Sequence, residues 1–326
     1  MAKIVVKYDC RAPAAISSMN FAELYQAVLE QVAWIDRQDV PVTINFCVHH
    51  GAEDGYLPAS LSFAAAAAAL TRHCRLRINV ILPYHDPIRV AEEVAVLDQL
   101  SNGRVELLLL GGYVPSEMRM FGIEPQQRGR LMEEGVLALK QAWSGESFDF
   151  RGRRCQVRPL PLQQPHPPLI MGGMAPAAAR RAARLGDAFE PGLPASYEIY
   201  RAECEALNKT PRHEGKLAFA HLFMHEDPEQ GWREIAPYAL YESNCYARWQ
   251  ASAAQDGMFS EVIDIDTLRA SGAYQVASPQ QVLATPLDDD HKLLLHPLLS
   301  GMPRDMSWRN LELFFQKVAP GIQVHA

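Results

Sequence analysis

The stretch LRINVILPYHDPIRVAEEVAVLDQLSNGRVELLLL, residues 76 to 110, runs from one apolar segment through a helical pattern into a second apolar segment. Its first run, 76–82, and its last, 104–110, are apolar at nearly every position. Strands read this way when helices cover both faces of a parallel sheet. Between them, Asp86 stands where a helix takes its N-cap and Pro87 where it takes its first residue. The helix closes at SNG, where Gly103 can adopt the left-handed conformation that a helix end favours. The segment is one strand–helix–strand unit.

The same unit recurs outward in both directions. KIVVKY (3–8), VTINFCV (42–48), LIM (169–171), KLAFAHLFM (216–224) and KLLLHPL (292–298) read as further strands. Phe21, Leu24, Tyr25, Val28, Val32 and Ile35 recur at helical spacing, SLSFAAAAAALTRH (60–73) is strongly helix-favouring, and a long helix is predicted over about Gln126 to Trp143. MSWRNLELFFQKV closes the chain as a helix with Trp308, Leu311, Phe314, Phe315 and Val318 on one face. About eight such units in 326 residues predict an α/β fold, a (β/α)8 TIM barrel, rather than an open doubly wound sheet. Two segments fall outside the repeat. Residues 144–167 read as a hairpin followed by a proline-rich crossing. Residues 226–277 begin with the capping signal DPEQ and are rich in aromatics, as a lid over a substrate would be, or a helical excursion with its own small core. No glycine–serine linker divides the chain, which reads as one domain over 1–326 with these insertions.

Composition narrows the function. The net charge of -7 and a pI near 5.9 give no electrostatic footprint for nucleic acid. The six cysteines are scattered without a CxxC pair, which argues against a zinc or thioredoxin-type site and for a reducing, cytoplasmic setting. MAKIVVKYDC is too short and polar for a signal peptide, and no apolar run reaches the ~18 residues of a membrane span. GxGxxG, Walker A and GxSxG patterns do not occur.

The candidate chemistry lies at FCVHHGAEDGYLP, 46–58. Side chains alternate along a strand, so Thr43, Asn45, Cys47 and His49 share one side and Ile44, Phe46, Val48 and His50 the other. The apolar set belongs against the covering helices, which sends His49 inward at the C-terminal mouth, where barrels of this kind do their chemistry. Two adjacent histidines on a strand diverge and do not ligate one metal. His49 is then a catalytic group or a packed, hydrogen-bonded histidine. Gly172, Gly173 and Met174 lie between a strand and a helix, either as a phosphate cradle of backbone N–H groups or as a tight turn. Glu92 and Glu93 either reach a cofactor or simply favour a helix N-terminus. His225 and His296 end strands near the same mouth and read as loop histidines.

These residues carry a resemblance. CVHHGAEDG, ILPYHDPIRVAEEVAVLDQLSNGR, GGYVPSEMRMFG, RGRLMEEGVLALKQAWSGESFDFRGRRCQV and PHPPLIMGGMAPAAARRAARLGDAF follow one another as in the bacterial luciferase-like flavin monooxygenases, with ASPQQVLA and NLELFFQKVAP resembling the closing segments. The similarity covers nearly the whole chain and is strongest over 42–190. It implies a barrel that binds reduced FMN or, in one branch, the deazaflavin F420. It implies that His49 is catalytic and that Asn79, Glu92, Leu110, Gly111, Tyr113, Arg128, Gly172, Gly173 and Met174 contact the flavin. By the same resemblance a separate flavin reductase supplies FMNH2, O2 forms a flavin C4a-hydroperoxide, and a small organic substrate receives one oxygen atom. The F420-dependent oxidoreductases and the non-catalytic luciferase partner chain are the alternatives, and a homodimer is implied by analogy. Three positions depart from the family pattern: Val48 replaces a glutamate, Gly111 a phosphate-holding arginine, and Ala175 a serine. Phosphate binding would then lean on Arg128 or Arg130 and on backbone N–H groups.

Overall fold

Strands in chain order are β1 (Lys3–Tyr8), β2 (Val42–Phe46), β3 (Arg75–Ile81), β4 (Val105–Leu110), β5 (Phe148–Phe150), β6 (Arg153–Cys155), β7 (Leu169–Gly173), β8 (Ala188–Pro191), β9 (Lys216–Met224), β10 (Gln275–Ala277) and β11 (His291–Leu295). The helices that bear on the argument are α1 (Phe21–Ile35), α2 (Ser60–Leu70), α3 (Pro87–Ser101), α4 (Pro115–Met120), α5 (Arg128–Trp143), α6 (Pro176–Leu185), α7 (Pro194–Ala206), α8 (Pro228–Ser252), α9 (Ile265–Ser271), α10 (Pro279–Ala284) and α11 (Arg304–Leu313). The computed structural model describes residues 2–212, 215–253 and 259–322, so residues 254–258 of the aromatic segment 226–277 lie outside the described residues. The chain forms two compact units, one of residues 1–58, 73–75 and 215–326 and one of residues 59–72 and 76–214. Among the described residues no helix is long and apolar enough to cross a membrane.

In the first unit the strand order is β10–β9–β11–β1–β2, all pairs parallel. Lys7 pairs with Asn45 and Tyr8 with Phe46, so the two strands alternate in step. On one face Tyr8 stacks on Phe46 at 6.4 Å and donates its hydroxyl to Gln31 of α1, which donates in turn to Ser307 of α11. Trp34 and Trp308 meet edge to face between those two helices, 5.5 Å apart. The other face carries Lys7, Asn45, Cys47 and His49, and α8 packs over it. The period-two reading of strand two therefore describes the structure: Phe46 goes to the helices α1 and α11, and His49 goes with Lys7.

α8 is a working part of this unit's core. Asp227 caps it by accepting from the N–H groups of Glu229 and Gln230, a cap that contributes about 1 kcal/mol. Ile235, Ala239, Glu242 and Tyr246 follow at spacings of three and four, so all four line its buried face. Trp232, Ile235 and Ala239 share a cluster with Phe223 of β9, Leu268 of α9, and Tyr274 and Met302. The aromatic segment thus packs into the core of the unit rather than around one of its own, and it ends in β10, which pairs with β9. Three residues of strand are too few for a period to show.

In the second unit β3, β4, β7 and β8 form a parallel sheet, and β5 and β6 the expected antiparallel hairpin ahead of the proline-rich crossing. β8 is AFEP, whose proline and glutamate hide it from a hydropathy reading. Trp143 at the end of α5 is fully buried and donates its Nε1 to the carbonyl of Ala91 in α3, 3.0 Å away. Asp86 caps α3 as its sequence predicted. The left-handed turn at the far end is taken by Asn102, with Gly103 following it also at positive φ.

Candidate active site

The last residues of β1 and those after it, Lys7, Asp9 and Arg11, are charged at every second position, and all three are buried. Cys10 between the last two has φ of 54°, a left-handed conformation that a side chain with a Cβ resists. His221 within β9 has φ of 40° and Ser300 beyond β11 has φ of 46°. Strain of this kind costs of order 1–3 kcal/mol per residue and persists where the surroundings over-determine it. Here it surrounds one cluster. At His221 the pairing of β9 with β11 also slips in register, and such a bulge re-aims a side chain out of the strand's normal alternation.

Glu242 of α8, 0% exposed, is the hub of that cluster. Lys7 Nζ donates to its Oε1 at 2.9 Å and the Tyr274 hydroxyl to its Oε2 at 2.7 Å. Lys7 Nζ also lies 3.3 Å from His221 Nε2. His296, 3% exposed, sits with one ring nitrogen 3.6 Å from Glu242 and the other 3.4 Å from Asp9. Among the described residues His221, Glu242 and His296 could ligate one metal, their ligand atoms lying within 4.8 Å of one another. The Lys7 ammonium already supplies a positive charge to two of those three.

The protonation states follow from burial against charge. Burial opposes the Lys7 ammonium, yet Glu242 beside it raises its pKa above the ordinary lysine value. Burial opposes the Glu242 carboxylate too, but Lys7 and then His296 hold it well below the usual range. Asp9 is likewise lowered, His296 outweighing its burial. His221, buried and facing Lys7, falls to about 3 and is neutral. His296 is raised despite its burial, chiefly by Asp9.

A group whose pKa is raised on folding stabilises the fold at pH below its unfolded value, about 6.5 for histidine, and loses that contribution as pH climbs through the folded value. His296 should therefore make the protein less stable on the alkaline side. The depressed groups Asp9, Glu242 and His221 act only on the acid side. Urea midpoints from pH 7.5 to 9, above the range in which His221 acts, should fall in the native chain and fall less steeply in His296→Gln. An equal slope in both would mean that His296 is not charged.

His49 lies one step along this face, 7% exposed. Its backbone N–H donates to the carbonyl of Leu57. Its imidazole meets Tyr56 edge on at 4.8 Å, Tyr246 at 6.1 Å, and Trp249 of α8 at 4.4 Å with 31° between the planes. Tyr56 and Tyr246 share a hydrogen bond of 2.9 Å between hydroxyls, and Phe259 stacks on Tyr246 at 4.5 Å. The Arg11 guanidinium, fully buried, lies over the rings of Tyr56, Tyr246 and Trp249 at 4.6, 5.3 and 5.4 Å. Asp54, which accepts from Tyr241, is 3.4 Å from it. Cys47, on the same face, is a neutral thiol, since burial pushes its pKa up to about 11. The result is a dry aromatic box, one imidazole deep inside it, beside a charge-balanced polar network.

Sequence reading put His49 on this face but missed its neighbours. The alternation of Lys7, Asp9 and Arg11 in an otherwise apolar strand was the available signal. His296, read as a loop histidine, is at the centre of the network. His225 does behave as one: it accepts from the N–H of Asp227 at the start of α8. His50 is buried as well, in the position that alternates with His49.

The nine residues expected to contact flavin are all in the second unit. Asn79 is buried and its Oδ1 makes no hydrogen bond among the described residues. Leu110, Gly111 and Tyr113 are half-buried at the end of β4, and a Cβ built on Gly111 would meet nothing within 4 Å. Gly112 has φ of +73°, and a Cβ there would strike the Tyr84 hydroxyl at 2.6 Å. Arg128 donates to the carbonyl of Gly112 at 3.1 Å, whereas Arg130 is engaged by Glu134 on the surface of α5. A Cβ on Gly172 would strike Leu110 at 2.6 Å, so that glycine lets β7 approach β4 closely. Gly173 meets Ala178 in the same way, and Met174 lies against Gly192. Glu92 stands apart from these. It is paired with Arg89 on α3 and lines an outward groove with Leu61, Ala65, Val96 and Leu100. Open space at Gly111, an unmet buried acceptor at Asn79 and a cation at Arg128 suit a ring with N–H donors and a phosphate tail.

The model of the luciferase-like monooxygenases matches residues 44–287. The chain belongs to that family. A curated relative, the FMNH(2)-dependent dimethylsulfone monooxygenase of Pseudomonas putida, is 26% identical over 213 residues, covering 57% of this chain and 58% of that protein. The chain thus spans little more than half the length of that relative. Among solved structures, monooxygenase RslO1 from Streptomyces bottropensis aligns with a TM-score of 0.80 at 24% identity, covering 98% of this chain and all of that one. The oxygenating constituent of 3,6-diketocamphane monooxygenase of Pseudomonas putida, solved with FMN, aligns at 0.77 and 18% identity over the full length of both chains. These likenesses show the fold, the α/β fold of the luciferase-like TIM-barrel monooxygenases that the repeated strand–helix units implied.

Proposed function

We propose that this luciferase-like chain is a reduced-flavin-dependent monooxygenase, the oxygenating half of a two-component system. The observation that carries the reading is His49, a buried imidazole in an aromatic box with a balanced proton-bearing network beside it. FMNH2, delivered by a separate reductase, would supply the oxygen-activating chemistry through its C4a-hydroperoxide. Arg128 and the backbone N–H groups at Gly172 and Gly173 would hold its phosphate, and Asn79 would accept from its ring. The chain's own residues then do two things. Tyr56, Tyr246, Trp249 and Phe259 exclude water, which would otherwise divert activated oxygen to peroxide. His49 moves a proton as general acid or base. The organic substrate takes the oxygen atom.

Stopped-flow mixing of the enzyme and FMNH2 with O2 tests this. A long-lived adduct absorbance and substrate-dependent product are expected. Reoxidation at the rate of free flavin with stoichiometric H2O2 would overturn it. Equilibrium dialysis with FMNH2 and F420H2 separates the other two readings: an F420 oxidoreductase retains the deazaflavin, and a non-catalytic subunit retains neither.

The reading includes a homodimer. Its support is the face of α2 and α3, where a groove of about 340 Å³ runs beside Val96 and Leu100, 46% and 62% exposed. Val96 and Leu100 lie one turn apart on α3, where a second copy would cover them, and the Arg89–Glu92 pair rims the same groove. Sedimentation equilibrium should give a dimer for the native chain and a monomer, or a dimer at least tenfold weaker, for Leu100→Glu. A native monomer removes the dimer from the reading.

A further inference from the structure

Buried side-chain atoms without a hydrogen bond are not spread evenly over the first unit. Among the described residues Arg11 Nε, Nη1 and Nη2, Asp9 Oδ2, Asn45 Oδ1 and both ring nitrogens of His296 are in this condition around His49, against single atoms of Gln250, Arg269 and Asn310 in the rest of the unit. Buried polar groups in folded proteins are nearly always satisfied, so a cluster of exceptions takes its partners from outside the chain, as ordered water or a ligand. Arg11 is the plainest case. Its charge is met by Asp9 at 3.3 Å and Asp54 at 3.4 Å, but none of its guanidinium nitrogens makes a hydrogen bond among the described residues.

We propose that Arg11 is the docking point for a neutral acceptor oxygen on a flat conjugated substrate whose ring takes the place of the Trp249 indole over His49. The proposal deepens the monooxygenase reading and rests on it for the word substrate. Three observations select this ligand. The box is walled by rings, which favour a flat π-face. A guanidinium is a planar fork of donors, suited to a carbonyl or hydroxyl oxygen held in its plane. Two carboxylates already balance it within 3.4 Å, so an anionic head group would meet like charge and a neutral oxygen would not.

The place of the ring follows from what fixes each wall. Tyr56 and Tyr246 are tied to each other through their hydroxyls. Trp249 is only half-buried and sits in the last turn of α8. It lies 4.4 Å from the His49 ring, van der Waals contact for two planes, so no flat molecule fits between them. The indole is therefore the wall that yields, and it marks the position that a substrate ring occupies.

Chromone, 2-naphthoate and dimethyl sulfone serve as probes, titrated by calorimetry into the full-length protein without flavin. Chromone, flat with a neutral carbonyl, should bind at least tenfold more tightly than either the flat anion or the small aliphatic acceptor. Arg11→Lys keeps the charge but loses the fork, and should weaken chromone at least tenfold. Trp249→Ala removes the competing indole and should tighten chromone severalfold, which holds even if the Arg11 variant does not fold. Equal or tighter binding of 2-naphthoate or dimethyl sulfone overturns the proposal, and so does chromone affinity that is unmoved or weakened in Trp249→Ala. Because no flavin is present, chromone binding with this pattern stands even if FMNH2 fails to bind, and that second failure would fall on the monooxygenase reading alone.

Discussion

His49→Asn should lower the rate of product formation about 10²–10⁴-fold, the contribution of a positioned general acid or base. Asparagine keeps a polar group of similar reach in the box but cannot exchange a proton near neutral pH. The expected signature is a fall in kcat with flavin binding unchanged, because the residues proposed to hold FMN lie elsewhere in the chain. Substrate KM should rise as well, because the imidazole that a substrate ring would lie over is lost. Coupling should suffer as well, with more H2O2 released per flavin oxidised. Urea denaturation of the variant separates a chemical effect from a structural one. Turnover within a factor of two of the native enzyme would remove His49 from the chemistry.

The second large effect concerns Lys7. Lys7→Met should destabilise the fold by about 3–5 kcal/mol, the usual cost of leaving one member of a buried pair uncompensated. The reason is specific: Glu242 would keep its hydroxyl donor Tyr274 and the His296 ring at 3.6 Å but lose the ammonium at 2.9 Å, the nearer and larger of its two counter-charges. Against a total stability of about 5–15 kcal/mol this is a large fraction, and Tm should drop accordingly. Adding Glu242→Gln to Lys7→Met should restore much of the loss, since a neutral amide no longer needs a counter-charge. The double-mutant cycle in urea is the measurement. A loss under about 1 kcal/mol in the single variant would mean that Glu242 is neutral in the fold.

The fold was largely legible because its signals are local and repeated. Apolar runs, a proline-started helix at Asp86 and the hairpin after α5 each show in a short window. β8 and β10 were not legible, one carrying Glu190 and Pro191 and the other only three residues long. The site was half legible. Alternation along β2 gave His49 its direction, because burial enforces the period of two on a covered strand. The network was not, for a physical reason. Lys7, Glu242 and His296 are brought together from positions 235 and more residues from the first of them, and no window contains two. His221 was hidden further, since a bulge puts it where alternation would not. Glu92, which the resemblance marked as a flavin contact, belongs in space to the outer groove of α3.

The match to the family begins at residue 44 and stops at 287. Lys7, Asp9, Arg11 and His296 all fall beyond those limits. The network is therefore assembled from both sides of that boundary: the flanking segments bring the two cations, Asp9 and one imidazole, and the matched span brings His49, His221, Glu242 and Tyr246.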